Sequence, residues 1–186
     1  MRKQFMAVAA VCLALAVPAA AGPALPAVSC SLVRNETINL TGPDAGDVVE
    51  ARSIAAPRGA TAPNCNEATV LLTVRRGSDK AFLYGYVSVM TRMDLIEGHA
   101  GPAYGPGQIA DFLAEWAKAT VGATNDAPPF GAEGISTSLT AEAYAALRAR
   151  KLPMLCHAIG TLDRRCLFVD PDGGGTLTEF FDEAVG

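Results

Sequence analysis

The clearest alternation of apolar and polar positions lies in the middle of the chain. Residues 69–75 are rich in Val, Leu and Thr, Arg76-Gly77-Ser78-Asp79 supplies turn chemistry, and residues 81–90 resume the strand pattern. In that second run Phe82, Tyr84, Tyr86 and Met90 share one face, while Leu83, Val87 and Val89 share the other. Both faces are largely apolar, which predicts a central strand covered on both sides. Gly85 in its middle marks a bulge or a close backbone approach. The period then changes. Ile109, Phe112, Leu113, Trp116, Ala117, Thr120 and Val121 recur at helical spacing, with Gln108, Asp111, Glu115 and Lys118 opposite and Gly122 as the stop.

A second helix is expected over 140–151. Thr140 is its N-cap, Leu139 and Tyr144 form a hydrophobic staple, and Pro153 lies just beyond. Arg148, Arg150 and Lys151 crowd its last turns, where they complement the negative end of the helix dipole. Weaker patterns flank these elements. Residues 30–40 predict a short strand, and 41–66 read as a loop interrupted by a strand near 48–51. Residues 154–161 and 166–169 predict a second hairpin, turning at Leu162-Asp163-Arg164. Residues 178–185 predict a short helix burying Phe180 or Phe181, with Thr176 and Glu179 as a capping box. Together these elements predict an α+β fold: an antiparallel sheet of about four to six strands with two or three helices packed on one face.

The first residues change the meaning of the composition. Arg2 and Lys3 precede an apolar run from Phe5 to Val17, Pro18 breaks it, and Ala19-Ala20-Ala21 matches a signal-peptidase site. The expectation is a signal peptide over 1–21, a flexible lead-in over 22–29 and a single domain over 30–186, in a periplasmic or secreted protein. Cleavage would remove Cys12 and leave Cys30, Cys65, Cys156 and Cys166 in an oxidising compartment. Of the three possible connectivities, Cys30–Cys65 would close the long loop, and Cys156–Cys166 would cross the second hairpin. Loss of Arg2 and Lys3 takes the formal net charge from −4 to −6. That balance offers no electrostatic footprint for nucleic acid or an anionic membrane surface. The partners expected are therefore a small molecule or another protein.

Candidate chemistry is sparse. The segment 170–181 resembles an EF-hand calcium loop, with Asp170 and Asp172 at positions 1 and 3, Gly175 at 6 and Leu177 at 8. Asp170, Asp172 and Thr176 are its candidate oxygen ligands. Position 5 is Gly174 and position 12 is Phe181, so two customary ligands are missing, and a Gly-rich turn is the competing reading. His99, in a Gly-flanked loop with Asp94 and Glu97 nearby, is the candidate general base. His157 follows Cys156 in a predicted strand, and the chain has only these two histidines. No nucleophile elbow, His-Glu-x-x-His, Cys-x-x-Cys or phosphate-binding Gly loop occurs. Two functional classes remain: a non-catalytic binding or interaction module using sheet and loops, and a small hydrolase built on His99 and an acid. Calcium-stabilised folding at the 170–182 loop is a third option, and no other cofactor is expected.

Overall fold

A computed structural model describes residues 29–55, 65–93 and 104–184. These residues form β1 (Val33–Ile38), β2 (Asp47–Ile54), β3 (Thr69–Arg75), β4 (Phe82–Val89), α1 (Pro106–Ala117), β5 (Thr120–Ala123), β6 (Ile135–Ser136), α2 (Ala141–Arg150), β7 (Pro153–Ala158), β8 (Asp163–Asp170) and β9 (Thr176–Ala184). The strands make two antiparallel sheets, one ordered β1-β2-β3-β4 and the other β5-β7-β8-β9-β6. The expected α+β arrangement, a single sheet with helices on one face, is thus corrected. The fold is mostly β, with two sheets and, among the described residues, two α-helices.

Two misread segments account for the difference. Thr120 and Val121 continue the apolar stripe of α1, yet the helix ends at Ala117 and these β-branched residues open β5, paired to β7. The expected helix at 178–185 is the strand β9. A register shift at Cys166/Leu167 inserts one extra residue opposite β8, so consecutive Phe180 and Phe181 are both buried. A strand that buries two adjacent side chains loses its period of two, and on sequence alone it mimics a helix. The capping box assigned to Thr176 and Glu179 falls with it, since both residues lie in β9.

The first sheet is covered on one face. Val49 and Ala51 of β2 and Val70, Leu72 and Val74 of β3 point inward onto Ile109, Phe112, Leu113 and Trp116 of α1. Leu155, Leu167 and Leu177 of the second sheet join this core from the other side. The second sheet is covered on both faces. Its far side packs Met154, Phe168, Phe180 and Phe181 under Tyr144 of α2, whose ring stacks on Phe180 at 4.5 Å. Burying both faces removes more apolar area from water per strand, at roughly 25 cal/mol for each Å².

Two bridges and one carboxylate fasten the loops. Cys30–Cys65 ties the start of β1 to the approach to β3 with Cα atoms 5.4 Å apart, and Cys156–Cys166 joins directly opposed residues of β7 and β8 at 4.1 Å. Asp47 is fully buried and accepts from the backbone N–H groups of Leu40, Thr41 and Gly77 and from the Thr41 hydroxyl. Gly77 is required there, because a Cβ would meet the Ala45 carbonyl oxygen at 2.0 Å. Helix α2 starts as its sequence predicts, with the Thr140 hydroxyl accepting from Ala143 N–H at 3.3 Å.

Candidate functional site

Where β4 meets the second sheet, a polar seam interrupts the apolar core. β7 turns His157 toward β4, and the residue is only 3% exposed. Its Nδ1 lies 2.8 Å from the Ala158 carbonyl, which can only accept, so Nδ1 carries the proton. Nε2 is then the acceptor for the Tyr84 hydroxyl at 3.0 Å. Tyr84 and Tyr86 both tilt against the imidazole with centroids 5.3 Å away, and Trp116 closes a third side at 6.5 Å. The Trp116 indole N–H donates to the Ala158 carbonyl, and the Tyr86 hydroxyl donates to that of Ile159.

The electrostatics follow from this burial. Desolvation pushes His157 down to about 4 and the Tyr84 hydroxyl up to about 12, so both are neutral near pH 7. Arg165, the cross-strand neighbour of His157, adds a positive charge that also lowers the His157 pKa. Its guanidinium donates two hydrogen bonds to Asp182, each 2.8 Å, and lies 3.4 Å from Glu179. Hydrogen bonding to Asp182 raises the Arg165 pKa further. The result is a closed network: the imidazole has both nitrogens occupied, and the guanidinium is held by two carboxylates. Such a network fixes how the sheets meet. The cavity beside Trp116 and His157 measures about 200 Å³, below the range of small-molecule sites.

The other sequence candidates are scattered. His99, Asp94 and Glu97 lie outside the described residues, as do the expected signal peptide and lead-in up to residue 28. Asp170, Asp172 and Thr176 sit on the tight turn between β8 and β9. There Gly175 N–H donates to the Asp170 carbonyl, and Arg150 holds the Asp172 carboxylate at 3.1 Å. Gly174 and Gly175 turn the chain with φ of 74° and 76°, in the left-handed region that glycine enters without a Cβ penalty. Among the described residues no group of three or more His, Cys, Asp or Glu side chains is placed to hold a metal ion. Arg148 donates to the Asn125 carbonyl, so the basic cluster at the end of α2 is divided between separate partners.

The expectation that β4 is a covered, central strand is also corrected. Among the described residues it is an edge strand, paired only to β3, and the side chains of Val87 and Val89 are exposed. The registers set Ile54 beside Thr69 and Val89, and set Val33, Arg52, Leu71 and Val87 in the next row. Val87 is 63% exposed and Ile54 47%. At the far end the Phe82 ring, 55% exposed, lies over Gly85, and the Arg75 guanidinium sits 5.7 Å above the same ring. Sequence reasoning saw these apolar residues but gave them a cover. Nothing in their pattern distinguishes a covered face from an open one.

No protein-family model matches the chain, and neither a curated protein nor a solved structure is significantly similar to it. Two disulfide bonds are present, and among the described residues no helix is long and apolar enough to cross a membrane. Both features are compatible with an exported protein.

Proposed function

We propose that this chain is an exported, non-catalytic binding module, and that it engages a protein partner through the open face of the four-stranded sheet. The observation that carries this reading is the exposure of Val33, Ile54, Val87 and Val89 in two adjoining rows of that face, with half-buried Leu71 between Arg52 and Val87. A monomer without a partner gains nothing from leaving such rows in water. An open sheet face carrying exposed apolar side chains suits another protein's surface, and the groove of about 560 Å³ beside Val87 and Val89 gives that face relief. The internal chemistry agrees: His157, Tyr84 and Arg165 satisfy one another and serve as a scaffold behind the face.

Cross-linking mass spectrometry in the exported-protein fraction of the native source tests this reading. Cross-links from the wild-type protein are expected to cluster on β1, β2 and β3. The double variant Val33→Lys with Ile54→Lys, both at exposed positions, is expected to lose those partners while keeping its thermal stability. Retention of the same partners by the double variant overturns the proposal.

A further inference from the structure

The two sheets end in four edge strands, and three of them are protected against pairing with another chain. β1 carries Arg34 and Glu36, β5 is four residues long and β6 only two. Charge and brevity are the usual means of blunting an edge. β4 has neither. It runs eight residues, FLYGYVSV, without a charge or a proline. Its one irregularity is a register shift at the Val74/Arg75 end, leaving the stretch beyond it regular.

The backbone phase is set by the Met90 N–H, which donates to the Ala68 carbonyl at 2.9 Å. With Val70 opposite Ser88, Leu72 opposite Tyr86 and Val74 opposite Tyr84, those β4 residues turn their backbone groups toward β3. Gly85, Val87 and Val89 turn theirs outward, and no described residue pairs with them. Beside this row runs a groove of about 560 Å³, lined by Tyr86, Val87, Ser88, Val89, Arg92 and Ile159 among others.

From this we infer that β4 is a strand-addition edge, and that its occupant is β4 of a second copy of this chain, antiparallel about a two-fold axis at Val87. The inference goes beyond the reading of the open face as a binding surface, because it concerns the backbone edge of β4 and leaves that face uncovered. Self-pairing fits the residues. Val87 would face Val87 of the second copy, and Val89 would face Gly85, whose missing side chain leaves the Phe82 ring as an apolar neighbour. No like charges would oppose each other at any of these pairs, although each chain is acidic overall. Pairing would also join the two open apolar faces into one eight-stranded sheet, extending each Leu71–Val87 row across the axis. An isologous contact of this kind closes on itself, so it yields a dimer and not a fibre.

Sedimentation velocity from micromolar to near-millimolar concentration tests the assembly. The wild-type protein is expected to show a concentration-dependent dimer. Val87→Lys, which sets two ammonium groups against each other at the axis, is expected to raise the dissociation constant roughly tenfold or more. A second measurement does not depend on that variant. At a hydrogen-bonded antiparallel pair the Cα atoms are about 5.5 Å apart, within disulfide reach. Val87→Cys should therefore form a covalent dimer under mild oxidation roughly tenfold faster than Asn35→Cys on the β1 edge. A monomer at every concentration, equal cross-linking rates for the two cysteine variants, or a dimer abolished by Ile54→Lys but not by Val87→Lys would each overturn the inference. The first two outcomes leave the wider binding-module reading to its own cross-linking test. The third points to face-to-face packing in place of edge pairing.

Discussion

The two sheets solve the same problem in different ways. The five-stranded sheet buries both faces, one in the main core and the other under α2, and closes its ends with strands of four and two residues. The four-stranded sheet buries one face against α1 and leaves the other, with its uncharged β4 edge, in solvent. The same side-chain type thus has opposite roles in the two. Phe180 is 1% exposed in a cluster with Tyr144, Phe168 and Phe181, while Phe82 is 55% exposed over Gly85. Both sheets share the main core, but only the first leaves an apolar face exposed.

Truncation should break this contrast most sharply. Phe180→Ala leaves a cavity among packed rings and is expected to lower the unfolding free energy by about 4 kcal/mol in urea titration. Reduction probes the contrast through the bridges. Their sequence separations are 35 and 10 residues, so loop-closure entropy assigns about 4 kcal/mol to Cys30–Cys65 and about 3 kcal/mol to Cys156–Cys166. Paired Cys→Ser variants compared by thermal unfolding should therefore rank in that order, and the reverse order would show that strand pairing, not chain entropy, sets the effect.

Acid separates the seam from both sheets. His157 is lowered to about 4 in the folded chain against an ordinary 6.5, so between those values the unfolded state binds the proton first. Stability should fall as pH drops from about 6.5 to about 4, by about 3 kcal/mol from this group, and the contribution should be flat above that window. His157→Gln should remove that share of the slope in denaturant titrations across the window. The smallest expected effect belongs to the open face. Val87→Lys and Ile54→Lys should each change the stability of the monomer by no more than about 0.5 kcal/mol, because neither side chain is packed. A larger loss at either position would mean that the face is covered, and the comparison would fail.

The elements with one clean period were legible in the sequence: the β3–β4 hairpin, the start of α2 at Thr140, and the opposition of Cys156 to Cys166. The failures have a common cause, since a local pattern does not encode what lies opposite. Phe180 and Phe181 broke the strand period because of a register shift that depends on β8. Thr120 and Val121 extended a helical stripe because nothing local announces β7 as their partner. β4 carries apolar residues on two faces, and only the sheet order shows that one of them is bare. Of the seam, His157 was visible as a residue, but Tyr84, Arg165 and Asp182 come from three separate strands and carry no shared spacing.

The bridge between Cys156 and Cys166 has a consequence for alignment within the second sheet. These residues face each other across β7 and β8, so sliding one strand by a single position would turn the two sulfur atoms to opposite sides. The covalent link forbids that slip. Leu155 and Leu167 are therefore committed to the inner layer, and His157 to the neighbourhood of Arg165, for as long as the sulfur atoms stay joined.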